Sequence, residues 1–180
     1  LLNRDIIIPD ILVVPLFSIT HFLILFFIYV LFKRNKQKWR VKASYKYIKK
    51  IQKIKGENEF AQTIGYLRKI DPFIYEEMIL SVLKMQGYKI YRNKKYTGDG
   101  GIDGKFKFKG KLYYIQAKRY KSHITKSHVD EFNKLITKNK VKGLFVHTGK
   151  TGKGSKEFKS DKFHFVSGND MVLFLKNKKD

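Results

Sequence analysis

Acidic residues are scarce in this chain, so the places where they stand are informative. Asp103 follows the glycine-rich stretch TGDGGIDG, and the segment Tyr114-Ile115-Gln116-Ala117-Lys118 comes shortly after it. Side chains alternate along a strand, so Gln116 and Lys118 share one face. Lys109-Gly110 has the composition of a two-residue hairpin turn. With that turn Phe108 faces Lys111, and the same register sets Asp103 opposite Gln116. Directly opposed residues share a face with Cβ atoms about 5 Å apart, and Lys118 is then a diagonal neighbour. One hairpin thus gathers a carboxylate, an amide oxygen and an ammonium. Such a trio suits phosphodiester hydrolysis. A hard divalent ion takes oxygen ligands, here from Asp103 and Gln116, and acidifies a bound water. Lys118 can position that water or stabilise the growing charge. Gln116 carries no charge, so a second carboxylate would help; Glu76 and Glu77 are the candidates.

The elements that position this trio follow from patterning. Asp71-Pro72 is a helix start, with Asp71 as N-cap and Pro72 at the first helical position. Ile74, Met78, Leu80 and Leu83 keep an apolar face up to Gly87, a C-cap. Strands are expected over 88–91, 102–108, 111–118, 141–147 and 163–166. Helices are expected over 127–137, 154–160 and 170–175. The order α-β-β-β-α-β predicts a mixed α/β fold, with a central sheet flanked by helices.

These residues carry a resemblance. The pattern Asp-(x)12-Gln-x-Lys after GDGGID resembles the Mrr-like restriction endonucleases, a branch of the PD-(D/E)xK nuclease superfamily. The likeness runs from about Asp71 to Leu175. It takes in the helix YEEMILSVLKMQGY, the loop TGDGGIDG, the strand YYIQAKRY, the strand VKGLFVHTG and the closing VSGNDMVLFL. It implies a restriction-endonuclease-like core and Mg²⁺-dependent (or Mn²⁺-dependent) DNA cleavage of restriction or defence type. Asp103, Gln116 and Lys118 match the catalytic signature, Glu76 matches the acid of the leading helix, and Asp99 matches a frequent acid of the loop. Gln in place of Glu is common in this branch and does not imply inactivation. Cutting both strands would suit a homodimer.

Composition agrees with a polyanionic partner. The chain has 180 residues, no cysteine, and 39 Lys+Arg against 15 Asp+Glu, a formal charge of +24. Absence of cysteine excludes a disulfide framework and a thiolate zinc site. An apolar content of 43% excludes a disordered basic tail. Nucleic acid and anionic lipid are the two neighbours such a charge attracts. Arg119, Lys121, Lys150 and Lys153 extend the basic surface beside the trio and are the expected DNA contacts.

The N-terminal part reads differently. From Ile11 to Phe32 there is no Asp, Glu, Lys or Arg. At about 1.5 Å per residue this run is roughly 33 Å long as a helix, enough to cross the hydrocarbon core. From Lys33 to Lys55 the charged residues are all basic, and the next acid is Glu57. The positive-inside rule then places the following domain in the cytoplasm of a bacterial-type cell. The expected organisation is 1–32 with a transmembrane helix over 11–32, a basic and helical juxtamembrane linker over 33–70, and a nuclease domain over 71–180. Ile48, Ile51 and Ile54 form one face of the linker, suited either to an anionic leaflet or to a solvated spacer.

Several look-alikes fail on spacing. Gly149-Lys150-Thr151 follows a strand, but residue 144, where a P-loop needs its first glycine, is Leu. The segment is better read as a backbone turn near DNA phosphates, or as a plain loop. The GDGG loop has the wrong glycine spacing for a dinucleotide fingerprint. His123, His128, His147 and His164 lack metal-ligand spacing. Two other function classes remain. One is an inactive nuclease-fold module that tethers DNA to the membrane. The other is a basic protein of the membrane surface, which would need no Asp-Gln-Lys geometry.

Overall fold

The computed structural model describes the backbone of residues 10–93 and 100–176, with the side chains of 10–18 and 34 left aside. Asp99 therefore lies outside the described residues. The chain divides into two compact units, Leu1–Trp39 and Arg40–Asp180.

Helix α1 runs over Asp10–Gln52. Among the described residues no helix is long and apolar enough to cross a membrane. The expected span 11–32 begins among side chains that are not described. Its described part, from Ile19 to Phe32, is shorter than the roughly 20 residues a crossing requires. Within that part Phe22, Leu25, Phe27 and Phe32 are 63–73% exposed, so this stretch is not a buried core helix.

The second unit begins well ahead of Asp71. After α1 come α2 (Glu59–Leu67) and α3 (Pro72–Met85). Ile48 and Ile51 at the end of α1 are fully buried, in the same core as Ile64, Leu67, Met78 and Ile79. Their spacing marked an apolar helical face, and that face covers protein. The segment expected to be a linker thus supplies part of the domain's core.

Asp71 caps α3 as its sequence predicts: the carboxylate accepts from the amides of Phe73 (3.0 Å) and Ile74 (3.2 Å). Strands β1 (Lys89–Arg92), β2 (Gly104–Phe108) and β3 (Lys111–Lys118) form an antiparallel meander. Helix α4 (Lys126–Lys138) then leads to β4 (Lys142–His147), and the short α5 (Lys153–Lys156) to β5 (Phe163–Val166). Both β4 and β5 join in parallel, giving a five-stranded mixed sheet in the order β1-β2-β3-β4-β5. Helix α6 (Gly168–Lys176) closes the domain.

The sheet is covered on both faces. Phe106, Tyr113, Ile115, Ala117, Leu144 and Val146 pack with the cluster that holds α3. Tyr114 and Phe145 point the other way and pack with Val129, Phe132 and Ile136 of α4. The period-2 alternation therefore sends Gln116 and Lys118 to the α4 face of β3.

If residues 48–51 belong to the core, Ile51→Ala should cost about 2–5 kcal/mol. Urea denaturation of the full chain checks this. A loss below about 0.5 kcal/mol, the size of a surface change, would put Ile51 outside the core.

Candidate active site

The turn between β2 and β3 is the one the sequence predicts. Lys109 (φ 47°) and Gly110 (φ 76°) both take the left-handed conformation of a primed two-residue turn. The register runs from Phe108 opposite Lys111 to Gly104 opposite Ile115. At Asp103 the ladder stops. The Asp103 amide donates to the Ile115 carbonyl (2.8 Å), and its carboxylate accepts from the Ala117 amide (2.6 Å). Direct opposition of Asp103 and Gln116 is therefore replaced by a closer hold. The carboxylate is fixed on the backbone link between Gln116 and Lys118.

The glycine-rich loop explains how the chain gets there. Gly100 (φ 65°) and Gly101 (φ 83°) both need positive φ. A Cβ built on Gly101 would lie 3.3 Å from the Gln116 amide nitrogen, so the loop backbone packs onto that side chain. Asn93, just after β1, donates its amide to the Ile102 carbonyl and braces the loop's exit.

Gln116 is buried, and among the described residues its Oε1 has no hydrogen-bond partner. A buried acceptor without a donor costs free energy unless something else satisfies it. A hard cation does so. Asp103 and Gln116 supply oxygens of the kind a Mg²⁺-type ion takes. Among the described residues no three His, Asp or Glu side chains come close enough to hold a metal by themselves.

The two acids of α3 have different surroundings. Glu77 is buried and paired with Arg92, with Nε 2.6 Å from its Oε2. That accounts for its place in the core. Glu76 instead lies in the fields of Asp103 and Lys118. Burial first, and then the Asp103 charge, push its carboxyl up to about 8; Lys118 and Arg40 act the other way. Arg40 is a contribution that sequence reading missed, because it stood in a long basic run. It is buried, and its guanidinium covers the Phe73 ring at 4.1 Å.

The expected DNA contacts separate into two kinds. Lys121, Lys150 and Lys153 are exposed. Arg119 is half-buried and donates to the Arg68 carbonyl at 3.0 Å, so it anchors the end of α2. The segment after β4 is held firmly to β3: the Thr148 amide donates to the Lys118 carbonyl (3.3 Å), and Thr148 Oγ1 exchanges hydrogen bonds with the Tyr120 backbone. Lys118 thus stands where the parallel strands β3 and β4 end, the place where open α/β sheets bind ligands.

The raised carboxyl of Glu76 has a consequence for stability. Its pKa is about 8 folded against 4.5 for the unperturbed group. In this window the folded state holds the extra proton, so stability falls as pH rises from about 4.5 to about 8. Without divalent ions, Glu76→Gln should flatten that decline in denaturation midpoints measured across the window. An unchanged slope would show that Glu76 ionises normally.

The Mrr_cat family model, described as restriction endonuclease, matches residues 67–175. No curated protein and no solved structure matches the chain. The matched span takes in α3, the whole sheet and nearly all of α6, with Glu76, Asp103, Gln116 and Lys118 inside it. More than half of the chain lies within the match, and on that ground it belongs to the Mrr-type restriction endonuclease family.

Proposed function

We propose that this protein is a divalent-metal-dependent DNA endonuclease of restriction type, anchored to a membrane by its N-terminal helix. The observation that carries the nuclease reading is the Asp103 carboxylate seated on the Ala117 amide, between Gln116 and Lys118, with Glu76 in its field. Asp103 and Gln116 would hold Mg²⁺ or Mn²⁺, which when bound polarises the phosphoryl oxygen and acidifies a water. Lys118 orients the attacking water and offsets charge on the pentavalent phosphorus. Glu76, whose proton is lost only near pH 8, is suited to accept a proton from that water once the pH rises to about 8 and above. The exposed Lys121, Lys150 and Lys153 hold the DNA backbone. A second copy of the chain would cut the opposite strand.

Anchoring is supported by the apolar run from Ile11 to Phe32, by its exposed aromatic and aliphatic residues, and by the basic residues that follow. The nuclease domain then faces the cytoplasm, placed to meet DNA as it enters.

With Mg²⁺ and DNA, both modified and unmodified, the purified chain should cleave. Asp103→Ala and Lys118→Ala should each lower the rate by at least about a hundredfold while DNA binding persists. Binding without cleavage by the unaltered chain would favour the tethering module instead. Lys121→Ala and Lys153→Ala should weaken binding evenly across sequences. Each should lower the slope of log affinity against log salt by about 1. In cell fractions the chain should sediment with membranes and be released by detergent. Release by high salt alone would contradict insertion.

A further inference from the structure

Helix α2 makes one wall of an open groove of about 600 Å³. Phe60 and Ile64 line that wall, and the segment after β4 lines the opposite one. Arg68, Lys150 and Lys156 also line the groove, and among the described residues no acidic one does. Its volume falls within the range of small-molecule sites.

Arg68 is fixed at the end of the α2 wall. Its Nη2 donates to the Thr148 carbonyl at 2.9 Å, which fixes the guanidinium in place. Its Nε is buried and, among the described residues, has no hydrogen-bond partner. Arg68 lines the groove, and a phosphate oxygen meets a planar guanidinium fork well. Lys150 and Lys156 add exposed charge on the other side. Phe60 is 45% exposed, an aromatic face left open to the groove. Lys150 and Lys156 opposite an aromatic wall, with Arg68 at the end of that wall, are the combination that recognises a nucleotide: phosphate towards the cations, base on the aromatic side.

The groove adjoins the candidate active site through two backbone links. Arg119, next to Lys118, donates to the Arg68 carbonyl, and the Thr148 amide donates to the Lys118 carbonyl. We propose that the groove is a nucleotide subsite. It takes one nucleotide of the DNA strand beside the scissile phosphate, with the base against Phe60 and Ile64 and the phosphate on Arg68, Lys150 and Lys156. This assignment rests on the nuclease reading for its choice of ligand.

The test uses the full chain in detergent micelles, with a chelator present so that no cleavage takes place. Fluorescence anisotropy follows two labelled probes, deoxyadenosine 5′-monophosphate and a short single-stranded DNA. Phe60→Ala and Lys156→Ala alter exposed side chains, so the fold should persist, as circular dichroism would verify. Each is expected to weaken both probes by about tenfold. Unchanged affinity for both probes would overturn the proposal. Loss for the mononucleotide alone would overturn the assignment to the strand and mark a site for a free nucleotide. A separate cleavage assay with Mg²⁺ tells the two readings apart. Cleavage with no nucleotide binding would sink the groove and leave the nuclease standing. Groove-dependent binding of both probes without cleavage would support the groove and sink the nuclease.

Discussion

Two residues in left-handed conformation, Lys109 and Gly110, decide which side chains can meet in this protein. A two-residue turn permits one register between β2 and β3, and a slip of one position would send every side chain to the opposite face. With the observed register, Phe106, Tyr113 and Ile115 enter the core beneath α3. Gln116 and Lys118 then point to the other face, and the end of β2 delivers Asp103 to the Ala117 amide. The same hydrophobic burial that holds the hairpin in place therefore also builds the site. No separate source of stability is needed to bring an acid, an amide and an amine together.

The price of that assembly is electrostatic. Asp103 and Glu76 are two carboxyls in one partly buried region, and the Asp103 charge disfavours ionisation of Glu76. Lys118 and Arg40 offset part of the repulsion. A divalent cation would offset more, and the partnerless Gln116 oxygen is a further reason for one to bind. Glu77, one residue along α3, has a different arrangement: Arg92 occupies it, and it serves the core. Neighbouring acids on one helix thus point to different partners because successive helical positions are about 100° apart.

Much of the candidate site was legible in the chain itself. The Asp71 cap, the Lys109-Gly110 turn and the alternation along β3 are local features, and local sequence determines them. Opposition of Asp103 and Gln116 was legible only approximately, because the departure from the ladder depends on how the glycine loop packs over Gln116. The role of residues 40–67 was not legible. Ile48 and Ile51 at helical spacing among lysines describe an amphipathic helix equally well on a membrane, in solvent or against a sheet. What the face covers is settled by tertiary packing against α3. Arg119 shows a similar limit, since a basic residue beside a site reads as a DNA contact until its backbone partner is known.

The central claim is that Asp103 and Gln116 jointly hold one divalent ion. The most direct measurement is Mn²⁺ binding to the chain, followed by electron paramagnetic resonance, in the unaltered protein, Asp103→Asn and Gln116→Leu. One bound ion is expected in the unaltered protein, lost in Asp103→Asn and weakened by about tenfold or more in Gln116→Leu. Equal Mn²⁺ uptake by all three proteins would contradict the account.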